Sequence, residues 1–87
     1  MIIKGDIKME KVRIWIIDWF EKKSDVPSVD IDENKNYVES GWIDSFQFLD
    51  LISEVEEEFE VSFSDDDFSK EELLTIKGII EIIISKL

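Results

Sequence analysis

The sequence predicts an all-α chain folded as a small four-helix bundle, and three observations carry that expectation. Apolar residues recur at helical spacing in three long segments. A short segment with N-cap chemistry lies between the second and the last of these. No two apolar runs pair as the strands of a sheet would. The 87 residues make one domain, 1–87, near the lower end of what folds without a disulfide or metal staple. Residues 1–5 read as a loose N-terminal extension.

The first helix is expected from an N-cap at Asp6, after Gly5, to about Ser24, ahead of Pro27. Met9, Val12, Ile16, Trp19 and Phe20 define its core face, and Trp15 shares a neighbouring face with Trp19. These tryptophans read as packing residues. Residues 25–44 are rich in Asp, Asn and Ser and form a long loop, with Val29, Ile31, Tyr37 and Val38 expected to pin it across the helices. Gly41 supplies a permissive backbone just before the second helix.

That second helix is expected from Ser45 to Glu60. Phe48, Ile52, Val55 and Phe59 make its buried stripe, with Leu51 beside it. Gln47, Asp50, Glu54, Glu57 and Glu58 lie opposite, and Leu49 and Ser53 between. Ser64-Asp65-Asp66-Asp67 reads as an N-cap with acids in a first turn, opening a short third helix, and Ser69-Lys70-Glu71-Glu72 is a second capping-box pattern. The last helix opens at Thr75 and runs to the C-terminus. Ile79 to Ile84 is β-branched enough to read as a strand, but a lone strand has no partner, so the helix is retained. Gly78 inside it costs about 1 kcal/mol against alanine, which close approach to another helix would justify.

Composition restricts the chemistry. Without cysteine or histidine the chain has no disulfide, no thiolate ligand and no imidazole base, so a carrier, substrate or binder is favoured over a catalyst. The formal net charge is −12. The span 44–72 holds twelve acids and one base, Lys70, whereas the first 24 residues hold six bases against four acids. Such a field repels nucleic acid and anionic membranes and attracts basic patches on proteins, unless it serves solubility alone. The run Ile14-Trp15-Ile16-Ile17 is too short to span a bilayer, and the N-terminal residues lack a signal-peptide core. A cytoplasmic monomer with no membrane insertion is expected.

Asp30-x-Asp32-x-Asn34 matches the first half of an EF-hand loop. Its second half fails, because Lys35 stands where glycine is needed and Gly41 where the bidentate glutamate belongs. No metal site is expected. The most informative stretch is Gly41-Trp42-Ile43-Asp44-Ser45-Phe46, where a serine follows an aspartate at a loop-to-helix junction. Taken alone, Ser45 reads as an ordinary N-cap. Followed by an amphipathic helix ending Glu56-Glu57-Glu58-Phe59, then Val61-Ser62-Phe63 as a strand-like connection, an acidic turn and a helix opened by threonine, it resembles the acyl carrier protein family from Tyr37 to the C-terminus.

The resemblance implies a four-helix bundle of acyl-carrier type, with three longer helices and a short third one. It implies 4′-phosphopantetheine, derived from coenzyme A, attached to Ser45, with Asp44 supporting the modification by helping to hold magnesium. Gln47, Leu49, Asp50, Ser53, Glu54, Glu56 and Glu57 would form the face read by partners. Those partners would be a phosphopantetheinyl transferase, an ATP-dependent acyl or aminoacyl ligase, and a downstream transferase or synthase. Gln47 and Ser53 depart from the acidic residue and the methionine typical of fatty-acid carriers. Trp42-Ile43-Asp44-Ser45-Phe46 and Phe68-Ser69-Lys70-Glu71-Glu72 are similar to stand-alone D-alanyl carriers. A core crowded by Phe46, Phe48, Phe59, Phe63 and Phe68 is expected to favour a short or polar cargo. The alternative is a carrier-like bundle that binds partners without the arm.

Overall fold

Four α-helices run in the order α1 (Lys4–Ser24), α2 (Ser45–Phe59), α3 (Asp65–Phe68) and α4 (Ile76–Lys86) in the computed structural model, which describes residues 4–24 and 26–87. Three-residue and four-residue 3₁₀ turns occupy Ser28–Asp30 and Glu71–Leu74. Residues 1–3 of the expected extension lie outside the described residues. α1 begins upstream of the N-cap expected at Asp6. A glycine costs a helix only about 1 kcal/mol, so Gly5 does not stop one.

The core is built where the apolar stripes predict it. Val12, Ile16, Trp19 and Phe20 of α1 are buried against Leu51, Ile52 and Val55 of α2 and Ile76, Ile79, Ile80 and Ile83 of α4. The isoleucine-rich segment is helical, because burial of its face against α1 outweighs the modest β preference of branched side chains. Val61-Ser62-Phe63 forms no ladder, and no named strand occurs among the described residues. Phe46 and Phe68 are corrections: both are exposed, Phe46 at 80%. Phe48, Phe59 and Phe63 only flank the core. Its aromatic centre is instead Phe20, which meets Trp19 at 5.1 Å, Tyr37 at 4.9 Å and Trp42 at 6.4 Å between ring centroids.

Tyr37 fastens the long loop. Its ring is fully buried, its N–H donates to the Leu74 carbonyl at 3.0 Å, and its hydroxyl donates to the Leu73 carbonyl. Burial pushes the phenol above its ordinary pKa, so it remains a neutral donor. Ile31 and Val38 pack beside the core. Val29, expected as a further pin, is 89% exposed on the 3₁₀ turn. Upstream, the Asp32 carboxylate accepts the Asn34 N–H at 2.9 Å, and the Glu33 side chain lies 3.4 Å from Arg13. Asp32 and Asn34 of the EF-hand-like run are thus engaged in a turn, and the ion pair is made by Glu33 between them. Among the described residues, no group of three or more acidic side chains is placed to hold a metal ion.

Helix ends follow cap chemistry, with two departures. α2 stops at Phe59, with Glu60 as a left-handed C-cap at φ 54°. Ser64 and Asp67 form the reciprocal box that opens α3. The second box does not form: Ser69 closes α3, its hydroxyl donating to the Asp66 carbonyl at 2.7 Å, and the following 3₁₀ turn has no side-chain cap. Once Ser69 is used to end one helix, it is unavailable to begin another. At α4, the Thr75 hydroxyl accepts the Gly78 N–H at 3.0 Å, and the Glu33 carbonyl accepts the Lys77 N–H at 2.9 Å. Two of the donors stranded at that helix start are satisfied.

Gly78 does meet a close neighbour, but it is the backbone of the preceding 3₁₀ turn and not another α-helix. A Cβ there would sit 1.8 Å from the Glu72 carbonyl oxygen. Gly78→Ala gains helix propensity but forces the 3₁₀ backbone outward, so a net loss of about 1–3 kcal/mol is expected in urea unfolding.

Asp67 is the one buried acid among the described residues. It accepts a hydrogen bond from the Ser64 N–H at 2.8 Å and pairs with Lys86 of α4 at 2.7 Å. These partners, Lys86 foremost, hold its pKa at about 2 against an ordinary 3.8. A depressed carboxylate contributes stability that is complete above the ordinary value and lost as pH falls through the folded one. The stability gap between the native chain and Asp67→Asn should therefore be widest above pH 4 and close as pH falls toward 2. Chemical denaturation of both proteins across that range checks it, because the remaining carboxylates are common to both.

Candidate functional site

The approach to α2 is set by a hook in the chain. The Tyr37 carbonyl accepts N–H bonds from Trp42 at 3.1 Å and Ile43 at 3.4 Å. Gly41 sits between at φ 77°, in the left-handed region that disfavours a side chain. Ile43 is buried and Trp42 packs edge-on to Phe20. With these two side chains anchored inward, Asp44, Ser45 and Phe46 emerge exposed.

Asp44, and not Ser45, is the N-cap. Its carboxylate accepts the Gln47 N–H at 2.8 Å, while the Gln47 side-chain oxygen accepts the Asp44 N–H at 3.0 Å. The reciprocal box fixes the start of the helix. Gln47 also donates from Nε2 to the Lys23 carbonyl at 3.2 Å, bracing the end of α1 against the first turn of α2. Ser45 is the first helical residue, and among the described residues its hydroxyl has no hydrogen-bond partner. The backbone N–H groups of Ser45 and Phe46 are likewise without protein acceptors. An exposed hydroxyl beside two free N–H groups at a helix N-terminus is chemically suited to carrying a phosphodiester.

The expected partner face divides in two. Leu49, Asp50, Ser53 and Glu57 are exposed along α2, with Leu49 at 58%. Gln47, Glu54 and Glu56 are half-buried and each has an internal bond. Glu54 accepts the Trp19 indole N–H at 2.8 Å, and Glu56 accepts the Phe63 N–H at 2.9 Å. Phe46 belongs on the exposed face and was misplaced in the core by sequence reasoning. The signal was present: two residues before Phe48 is 200° around a helix, opposite the buried stripe. The same applies to the cap, since Asp44-x-x-Gln47 is itself a capping-box pattern.

No helix among the described residues is long and apolar enough to cross a membrane. No curated protein and no solved structure matches the chain. A family model described as "Phosphopantetheine attachment site" matches residues 15–83. That span takes in the second half of α1, the Tyr37 hook, all of α2 and α3, and most of α4. The chain belongs to this family of acyl carrier proteins, helical bundles that carry 4′-phosphopantetheine covalently.

Proposed function

We propose that Ser45 is the attachment residue and that the chain presents a thioester-bound acyl or aminoacyl intermediate to partner enzymes. The observation that carries this reading is the division of labour at the head of α2: Asp44 takes the cap, leaving the Ser45 hydroxyl exposed and unengaged. In the modification, the Ser45 oxygen forms a bond to the phosphorus bearing the pantetheine. The pyrophosphate P–O bond breaks, adenosine bisphosphate leaves, and the serine proton passes to a base on the transferase. Asp44 supports the step in two ways. It holds the helix start that presents the serine, and its carboxylate would help hold a magnesium ion, which would supply neutralisation of the pyrophosphate charge.

Partner enzymes read the chain through the exposed part of α2. Phe46 and Leu49 offer apolar contacts beside the serine, and Asp50 and Glu57 meet lysines and arginines. Gln47, Glu54 and Glu56 support this face from its edges through the internal bonds described above. The partners are a phosphopantetheinyl transferase, an ATP-dependent acyl or aminoacyl ligase, and a downstream transferase or synthase, in a specialised pathway of the cytoplasm.

Incubation with coenzyme A, magnesium and a promiscuous phosphopantetheinyl transferase should raise the intact mass by one phosphopantetheine. Ser45→Ala should abolish the gain completely, and Ser62→Ala, an exposed serine outside the α2 face, should leave it unchanged. No gain on the native chain would leave a bundle that only binds partners.

The cargo is short or polar, such as an amino acid or hydroxy acid. The reading is supported by the packing of Trp19, Tyr37 and Trp42 around Phe20, which crowds the core with aromatic rings. Loading the arm with an aminoacyl group and with a long acyl group should leave the core methyl resonances of Leu51, Ile52 and Val55 unmoved in both cases. Large shifts with the long chain alone would show that it is sequestered and would defeat this reading of the cargo.

A further inference from the structure

The last carbonyls of a helix have no donor within it, and α1 ends at Ser24, where the long loop departs. One of these carbonyls, on Lys23, is met from α2: Gln47 donates to it from Nε2 at 3.2 Å. The other end of the same amide is also engaged. Its Oε1 accepts the Asp44 N–H at 3.0 Å, while the Gln47 backbone N–H goes to the Asp44 carboxylate at 2.8 Å. One side chain therefore completes the start of α2 and the end of α1 together. Glu54, two turns along the same side of α2, accepts the Trp19 indole N–H at 2.8 Å. Of these two ties to α1, the one at Gln47 lies beside the serine.

We infer that Gln47 is a positioning residue for the modification of Ser45, acting by clamping the end of α1 to the first turn of α2. Its role rests on Ser45 being the attachment residue. Ser45 is the first helical residue, and among the described residues its hydroxyl has no hydrogen bond to steady it. Helix ends fray most readily. Attack on phosphorus needs the oxygen within about 3–3.5 Å of its target, and a misplacement of about 1 Å can cost roughly 100-fold. Gln47 is half-buried, with both ends of its amide bonded inside the chain, so it serves the reaction through the backbone it holds. The amide is the requirement. An ionised glutamate could keep the Asp44 N–H but has no proton for the Lys23 carbonyl, and methionine could do neither.

Gln47→Glu and Gln47→Met isolate the clamp, because the three residues have similar helix propensity and a glutamate in the first turn suits the helix dipole. A role in helix stability alone would leave Gln47→Glu as good as the native chain. Steady-state modification by a promiscuous phosphopantetheinyl transferase, with coenzyme A and magnesium, should show kcat about tenfold lower for Gln47→Glu and lower still for Gln47→Met. KM for the carrier should stay within about twofold of the native value in both. With no transferase present, hydrogen exchange at the backbone amides of residue 47 and Phe48 should quicken several-fold in Gln47→Glu, while Leu51 and Val55 exchange as in the native chain. A raised KM with unchanged kcat would make Gln47 a docking contact and overturn the inference, as would native kcat in Gln47→Met or unchanged exchange in Gln47→Glu. No mass gain on the native chain would defeat the attachment reading together with this one. A normal gain with equal kcat across the variants would defeat this one alone.

Discussion

The burial of Tyr37 is the constraint on which the rest of the molecule depends. A long polar loop gains little from its own contacts and loses much conformational entropy on being fixed. Here one aromatic ring inserted against Phe20 supplies the apolar burial. Its hydroxyl would be costly to bury alone, and the Leu73 carbonyl removes that penalty. The same residue's backbone reaches Leu74 on one side and collects Trp42 and Ile43 on the other. Loop, 3₁₀ turn and the approach to α2 are therefore referenced to one residue. The orientation of the exposed serine is inherited from a side chain eight positions earlier.

Helix-level features were legible in the sequence because they are periodic. The stripes of α1, α2 and α4 and the caps at Ser64 and Thr75 require only local chemistry. The features that escaped depend on what the rest of the chain brings near. Val29 and Tyr37 are both apolar loop residues, and only the position of the loop against α1 and α4 decides that one is exposed and the other buried. Ser69 could begin one element or end another, and the finished α3 decides it. Phe46 was different, since its place followed from the period of the helix and was obscured by the general rule that phenylalanine is buried.

The acid-rich span also separates by function in the folded chain. Asp44, Glu54, Glu56 and Asp67 each accept an internal hydrogen bond: Asp44 caps its own helix, Glu54 ties α2 to α1, Glu56 ties α2 to the connection after it, and Asp67 reaches α4 through Lys86. Asp50, Ser53 and Glu57 remain on the exposed side of α2. Composition registers one negative field, because charge is counted the same way wherever it lies. Geometry divides it into carboxylates that hold the bundle and carboxylates that face outward. A carboxylate's role is set by which donor comes within reach, and that information is tertiary.

The register of α2 is where fold and chemistry become inseparable. An Asp-Ser pair at a helix start is ambiguous, since either oxygen can cap. Were the helix to begin one residue later, Ser45 would be the cap and its oxygen would be occupied by a backbone N–H. Gln47 settles the register by completing the box with Asp44 and by reaching back to Lys23. A residue that departs from the acidic type of fatty-acid carriers thus acts on the serine without touching it. An acidic side chain at this position could accept the Asp44 N–H, but it could not donate to the Lys23 carbonyl when ionised. The amide does both, tying the head of α2 to the end of α1 and keeping the hydroxyl beside it free.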